Sequence, residues 1–266
     1  MAHQAHLHHL SPASLPAIHK VGADNPWQWL AAGWSDFTRA PVISLVYGFF
    51  ITLSMLVVFY LLQRGELYPQ ALALMAGFVF IGPLLAVGLY EGSRRLEQHL
   101  PVTLSTTWHG WQRNSRSLFG IGVLLVLLFL SWFMLSLIVA VSLHELSGEF
   151  GSGVGAVADW QSFVLSLRWP ITLSFGAIGL VAVTVAFVVS VVSVPMLTDR
   201  EEMDVLTAIA ASVHTVRKNP AAMMLWACLL ALFTGVAVAP LFLGLIIAFP
   251  LLAYASWHAY RDLIEH

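Results

Sequence analysis

The chain has 266 residues, of which 59% are hydrophobic and only 10% are charged. A soluble domain usually has about 25% charged residues, and a water-soluble fold of this size could not hide so many apolar side chains. The composition therefore predicts a membrane protein. The formal net charge of −2 lacks the basic excess of nucleic-acid-binding proteins, so we expect no nucleic acid as a partner.

Residues 1–26 are polar and contain no apolar segment of the kind found in a secretory signal. Their Pro and Ser content is typical of a flexible tail, which we place in the cytoplasm. Clustered histidines can bind zinc, copper or nickel, and this tail contains four of them: His3, His6, His8 and His9. They are weak metal candidates, because no cysteine joins them. Adventitious binding, or none, is the simpler interpretation.

Five apolar runs follow the tail, and a membrane-spanning helix needs about 20 such residues. The runs are Pro41–Leu62, Ala71–Tyr90, Leu118–Leu143, Ile171–Leu197 and Ala221–Trp257. The last run is too long for one helix and is interrupted at Pro240. Proline removes a backbone donor and tends to end the preceding helix. We therefore predict two short spans joined by a tight hairpin there, and six spans in all.

The basic residues predict the orientation. With the N-terminus inside, the inner segments hold ten of the twelve lysines and arginines, and the outer loops hold only Arg64 and Arg168. The positive-inside rule then places both termini in the cytoplasm.

Three short segments resemble one another where an apolar run begins: WSDFTRAP, WHGWQRNS and VHTVRKNP. Aligned on their basic residue, they share two apolar columns and one basic column. The columns hold Trp34, Trp108 and Val213, then Phe37, Trp111 and Val216, then Arg39, Arg113 and Lys218. Apolar residues three and four apart form one face of a helix. Each segment therefore predicts a short amphipathic helix on the inner leaflet, whose basic residue can reach lipid phosphates.

The even-numbered spans also share an ending. PLLAVGLYEGSR from Pro83 matches PLLAYASWHAYR from Pro250, whereas PMLTDREE from Pro195 keeps only the start. We predict an all-α polytopic membrane domain over residues 27–266 with six transmembrane helices. It consists of three hairpin repeats, each preceded by an interfacial helix, over about 27–97, 98–203 and 204–266. The alternative is convergence, since membrane edges favour Trp and Arg.

Five motifs occur in order: GWSDFTRAPVISLVYG, GPLLAVGLYEGSRR, VPMLTDRE, RKNP and SWHAYRDL. Together they resemble the uncharacterised bacterial integral-membrane family named domain of unknown function 2189, over nearly all residues after 26. The resemblance implies a multi-pass protein of the bacterial inner membrane. It implies no activity, so no catalytic residue is transferred.

The predicted spans hold essentially no ionisable residues, whereas proton-coupled transporters and ion pumps commonly carry one at mid-membrane. Glu91 and His258 lie at equal offsets after Pro83 and Pro250. If the repeats pack around a common axis, the two side chains face each other at the inner mouth, as a pair or a ligand site. Helix capping or snorkelling at the interface is the simpler interpretation. Further basic residues are candidates for anionic lipid headgroups or only set the topology: Arg94, Arg95, Arg261, Arg39, Arg113 and Lys218.

The sequence contains no familiar catalytic motif, and we expect neither an enzyme nor a bound cofactor. Haem is disfavoured because the deep spans contain no histidine. In the fourth span, small residues recur at helical spacing: Ser174, Gly179, Ala182, Ala186 and Ser190. Core packing is the first interpretation of these small residues, and the lining of a narrow pathway is the second.

Two functions remain open. The first is a non-catalytic protein that assembles, scaffolds or regulates a membrane complex through the belt of interfacial helices. The second is a transporter or channel for a small neutral or amphiphilic solute. The bundle axis distinguishes them: a scaffold predicts a filled core, and a transporter predicts a polar cavity, reached past Glu91 and His258.

Overall fold

The computed structural model describes residues 16–64, 68–146 and 169–265. These residues form helices, and the only extended pairing among them is a bridge between Ile18 and Ile264. The predicted all-α class is confirmed. The helices are α1 Asn25–Arg39, α2 Pro41–Arg64, α3 Tyr68–Leu85, α4 Val87–Glu97, α5 Leu104–Thr107, α6 His109–Arg113, α7 Ser115–Leu146, α8 Trp169–Ser190, α9 Ser193–Asp199, α10 Val205–Lys218, α11 Pro220–Val238 and α12 Leu245–Leu263.

Four helical segments in the described residues are long and apolar enough to cross a membrane, with mean hydropathy from 2.2 to 2.7. They are Pro41–Leu61, Ser115–Val139, Leu173–Asp199 and Pro220–Val238. The predicted second and sixth spans are not among them. The predicted second span, Ala71–Tyr90, is divided at Ala86 between α3 and α4, so no single helix covers it. In the sixth, α12 ends in polar and charged residues, which lower its hydropathy.

The predicted break near Pro240 is confirmed. Helix α11 ends at Val238 and α12 begins at Leu245. The turn between them includes two left-handed residues, Leu241 with φ 52° and Phe242 with φ 67°. The hydroxyl of Thr52 on α2 donates a 3.3 Å hydrogen bond to the carbonyl of Phe242 and holds this hairpin to the first span.

Helices α1 and α10 form where amphipathic helices were predicted. Helix α1 has a proline in its first turn, where the missing N–H costs nothing. Helix α10 is capped by the carboxylate of Asp204, and the hydrogen bonds from Thr207 lower the pKa of that carboxyl. The middle copy is divided into α5 and α6 at Trp108.

The apolar face of α1 lies against protein rather than against lipid, contrary to our expectation. Leu30 and Phe37 are buried, and α1 packs along α12. Trp34, which the sequence placed on the same face, is 49% exposed and stacks on Phe37 with ring centroids 5.3 Å apart. The helix thus has a protein-facing side and an adjacent exposed aromatic edge.

The amphipathic helices pack in a cyclic order. Helices α5 and α6 lie on α4, α10 lies on α9, and α1 lies on α12. The inner three elements, α4, α9 and the end of α12, also contact one another. We call this end of the molecule, formed by α1, α4–α6, α9, α10 and the last turns of α12, the basal layer.

The main hydrophobic core lies in the basal layer. Leu89, Met196, Leu197, Trp257 and Tyr260 are fully buried there. By contrast, only 17–39% of the residues in the four apolar spans are buried within the protein. The spans therefore turn most of their apolar surface outward, as a bilayer allows, and the basal layer unites the helices.

Part of the predicted tail is fixed in the structure. The N–H of His19 donates to the carbonyl of Leu263 at 2.8 Å, and Glu265 N–H donates to the carbonyl of Ala17 at 3.0 Å. The side chain of Asn219 bonds to both the carbonyl of His19 and the N–H of Val21. The backbone is thus held from residue 17 onward, before α1. The candidate metal ligands His3, His6, His8 and His9 lie outside the described residues.

Candidate functional site

A buried carboxylate joins three helices of the basal layer. Helix α1 places Asp36 on its buried face, where the residue is only 3% exposed. Its carboxylate accepts a 2.7 Å hydrogen bond from the hydroxyl of Ser93 on α4 and lies 2.8 Å from Nε2 of His258 on α12. A buried carboxylate is costly unless it has such partners. Asp36 therefore fixes the relative position of α1, α4 and α12.

Two further carboxylates tie α12 to α4 and α9. Arg261 on α12 reaches Glu97 at 3.2 Å and Asp199 at 3.8 Å. The indole N–H of Trp257 donates to Glu97 at 3.0 Å, and the hydroxyl of Tyr260 donates to Asp199 at 2.8 Å. These polar contacts surround the fully buried aromatic rings of α12.

Glu91 makes a separate buried ion pair. Its side chain is fully buried, and it accepts two hydrogen bonds from Arg94, at 2.7 and 2.8 Å. Arg95 lies 3.7 Å from the same carboxylate. The hydrogen bonds to Glu91 raise the pKa of Arg94, which remains a cation. The arrangement neutralises a carboxylate without exposing it to water.

The expected pair between Glu91 and His258 does not form. His258 turns toward Asp36, whereas Glu91 faces α6. Gly110 on α6 makes room for it, because a Cβ there would lie 3.0 Å from the Cβ of Glu91. Equal offsets in sequence therefore did not give equal surroundings.

An open cleft of about 380 Å³ is lined by Glu91 and its two arginine neighbours, Arg94 and Arg95. Helices α4 and α6 form its walls, and Glu201 closes one side. Arg113 on α6 lies 3.1 Å from Glu201. A second groove of about 590 Å³ adjoins the cleft at Gln112, and three of its lining side chains are aromatic: Trp108, Trp111 and Phe119. The arrangement presents cations beside an apolar surface.

The predicted site residues do not all line one opening. Glu91, Arg94, Arg95 and Arg113 lie around the cleft, whereas His258 and Arg261 belong to the interior contacts of α12. Lys218 donates to the carbonyl of Ile18 at 2.7 Å. Arg39 is exposed at the end of α1. Over the described ranges, no three His, Cys, Asp or Glu side chains are grouped so as to hold a metal ion.

The small residues of the fourth span serve packing. Ala182, Ala186 and Ser190 are buried. A Cβ at Gly179 would lie 3.1 Å from the indole nitrogen of Trp132 on α7. Helices α7 and α8 pack together along this side, as small residues permit in lipid. These contacts favour core packing over the lining of a pathway.

The sequence interpretation missed Asp36 and Glu97. Asp36 lies three residues after Gly33 and six after Leu30, so its helical position shares the face that α1 buries. The apolar columns at Trp34 and Phe37 predicted a different buried face, so the sequence pattern did not mark Asp36 as buried. Glu97 was not marked either, because it lies at the end of α4 beside other charged residues.

This site lies at one end of a helical bundle in which four segments are long and apolar enough to cross a membrane. A family model described as a predicted integral membrane protein (DUF2189) matches residues 71–199, from α3 through α9. The predicted resemblance to this family is confirmed over these residues, which are slightly less than half of the chain. The match includes two of the quoted motifs, at 82–95 and, up to residue 199, at 194–201. The motifs at 33–48, 217–220 and 256–263 lie outside it. No curated protein and no solved structure matches the chain significantly.

Proposed function

We propose that this protein is a non-catalytic membrane protein that assembles, scaffolds or regulates a partner complex. The observation that carries the proposal is the filled axis of the basal layer. Tyr254, Trp257 and Tyr260 are fully buried where α4, α9 and α12 meet. The charged groups around them serve to pair helices with one another. A solute path along this axis would have to displace these buried rings.

The outward surface of the basal layer supports a docking role. Trp27 and Trp34 are 55% and 49% exposed on the amphipathic helix α1. Tryptophan is enriched at the centre of protein interfaces and in membrane belts, since it is apolar with one donor. A partner that spans the same membrane can meet these rings at the edge of the bilayer.

We also propose that the fold consists of three hairpin units in a ring, with α3 and α12 as the remaining two of six spans. The cyclic packing of the amphipathic helices supports this proposal. So does a recurring amide: Asn114 donates to the carbonyls of Arg200 and Met203, just before α10. Asn219 donates to the carbonyl of His19 and accepts from the N–H of Val21, just before α1. Each amide therefore fixes the segment that leads into the next unit.

The proposed location is the bacterial inner membrane, with both termini in the cytoplasm. Cysteines at Ser115 and at Leu243, which is 56% exposed, should then lie on opposite sides, because the basic residues stay inside. With Cys228 replaced by serine, we expect an impermeant maleimide to label L243C in intact spheroplasts, and S115C only after lysis. Labelling of both from one side would contradict the topology.

Site-specific photo-crosslinking in native membranes tests the scaffold proposal. A photoreactive amino acid at Trp27 or Trp34 should give one discrete protein adduct, because both rings are exposed. The matched control is Trp257, which is fully buried and should give none. The crosslinked protein must also form a complex of fixed stoichiometry with this chain when both are purified.

Crosslinks to lipid alone, combined with solute flux in proteoliposomes, would contradict the scaffold proposal. Flux through proteoliposomes that contain only this chain is the specific result that a transporter or channel predicts.

A further inference from the structure

The cleft and the adjoining groove form one continuous surface with two chemical halves. Both are lined by Gln112, and Arg113 lies on the cleft side. The groove side is formed by Trp108, Trp111 and Phe119, together with Arg116. Trp108 is 61% exposed and Phe119 is 72% exposed. A ligand that fits both halves must carry a polar head and an apolar chain.

The charge of the surface favours an anion. The cleft has three arginines against two carboxylates. Arg94 neutralises Glu91, and Arg113 pairs with the exposed Glu201, so one positive charge remains in excess. Arg116 adds a further cation in the groove. Within the described part of the chain, the buried Nε of Arg113 has no hydrogen-bond acceptor. An oxygen-rich anion would supply that acceptor, and leaving such a donor unsatisfied is costly.

The position of the groove points to a lipid. Helix α7 begins at Ser115, which is also the start of an apolar span. Phe119 therefore lies one turn into that span, where headgroups give way to hydrocarbon, and Trp108 and Arg116 lie at the headgroup level. A soluble anion would leave the aromatic rings uncovered. An apolar helix would leave the Nε of Arg113 without an acceptor.

We propose that this groove binds one anionic phospholipid. Its phosphate lies against Arg113 and Arg116, and the first part of an acyl chain lies against Trp108 and Phe119. This site is independent of the proposed scaffold function, since it needs no protein partner.

The equivalent positions in the other two amphipathic helices are arranged differently. Trp34 stacks flat on Phe37, with an interplanar angle of 2°. Lys218 is engaged by the carbonyl of Ile18. Only the middle helix is divided, at Trp108 between α5 and α6, and the groove lies at this break. These differences provide a matched control within the same chain.

Native mass spectrometry of the delipidated full chain in mild detergent tests the proposal. We expect phosphatidylglycerol to be retained in preference to phosphatidylcholine with the same acyl chains. The double variant R113Q/R116Q should weaken retention by roughly tenfold or more, as about 1 kcal/mol per basic residue implies. The control R39Q/R217Q removes the same charge from exposed ends of the other two helices and should leave retention unchanged. R116Q alone repeats the test without breaking the ion pair of Arg113.

Three results would overturn the proposal. Equal loss in R39Q/R217Q would show general charge attraction without a site. Equal retention of the two lipids would exclude selection of the anionic headgroup. Displacement of the lipid by an equal concentration of glycerophosphoglycerol, which carries the headgroup without acyl chains, would show that the site binds a soluble anion.

Discussion

Replacing Glu91 with glutamine is expected to lower the free energy of unfolding by about 3–5 kcal/mol, the usual cost of breaking a buried ion pair by removing one partner. Glutamine has nearly the same shape, so the loss comes from charge rather than from a cavity. Arg94 and Arg95, which are 13% and 16% exposed, would remain close together without their carboxylate. Denaturant unfolding in mild detergent, followed by tryptophan fluorescence, measures the change.

The matched control for this experiment is E201Q. Arg113 and Glu201 form an ion pair beside the same cleft, but Glu201 is 61% exposed. An exposed pair contributes at most about 1 kcal/mol, so E201Q should be nearly neutral. A loss under about 1 kcal/mol in E91Q would mean that Arg94 and Arg95 reach the water of the cleft at little cost. The buried pair would then not hold α4 in place.

The helical class and the break at Pro240 followed from local rules that the surroundings do not override. Apolar runs of about 20 residues form helices because lipid cannot satisfy backbone groups. Proline lacks the backbone donor that would continue a helix, and α11 ends at Val238, just before Pro240. The Ala86 break was not predicted, because Pro83 lies inside α3 and the helix continues to Leu85 before it ends. The sequence alone does not show at which residue after Pro83 the helix ends.

The partners of the charged residues depended on tertiary packing, which periodicity does not encode. Glu91 and His258 share an offset, yet Gly110 makes room beside Glu91 whereas Asp36 meets His258. The repeat alignment placed Trp34 and Phe37 on one face, but α12 covers only Phe37. A helix wheel identifies a face, and only the neighbouring helix decides which part of that face is buried.

The spans and the basal layer contribute differently to the association of the helices, because lipid and water differ as solvents for apolar side chains. In lipid, an apolar side chain gains little from burial against another helix, because the acyl chains are equally apolar. Specific association must then come from polar contacts, small residues and the part of the bundle that leaves the hydrocarbon. Here the ion pairs of Glu91 and Arg261 and the buried rings of α12 lie in the basal layer. We infer that this layer determines the arrangement of the spans.

Close backbone contact between α2 and α12 gives the second large effect. A Cβ on Gly48 would overlap the backbone carbonyl of Ile246, which cannot move aside as a side chain can. Gly33 on α1 makes a similar approach, where a Cβ would lie 2.7 Å from the backbone nitrogen of Ala255. Gly48→Ala is therefore expected to lower the free energy of unfolding by about 1–3 kcal/mol, the typical cost of overpacking.

Gly235 on α11 is the matched control for Gly48, because a Cβ there meets nothing within 4 Å. Alanine has the higher helix propensity, by about 1 kcal/mol in water, so Gly235→Ala should leave stability unchanged or raise it. Unfolding of both variants in the same detergent separates the two contributions. If Gly48→Ala were as stable as Gly235→Ala, α2 and α12 would have room to separate. The glycine would then mark no close contact, and the first span would owe its position to the basal layer alone.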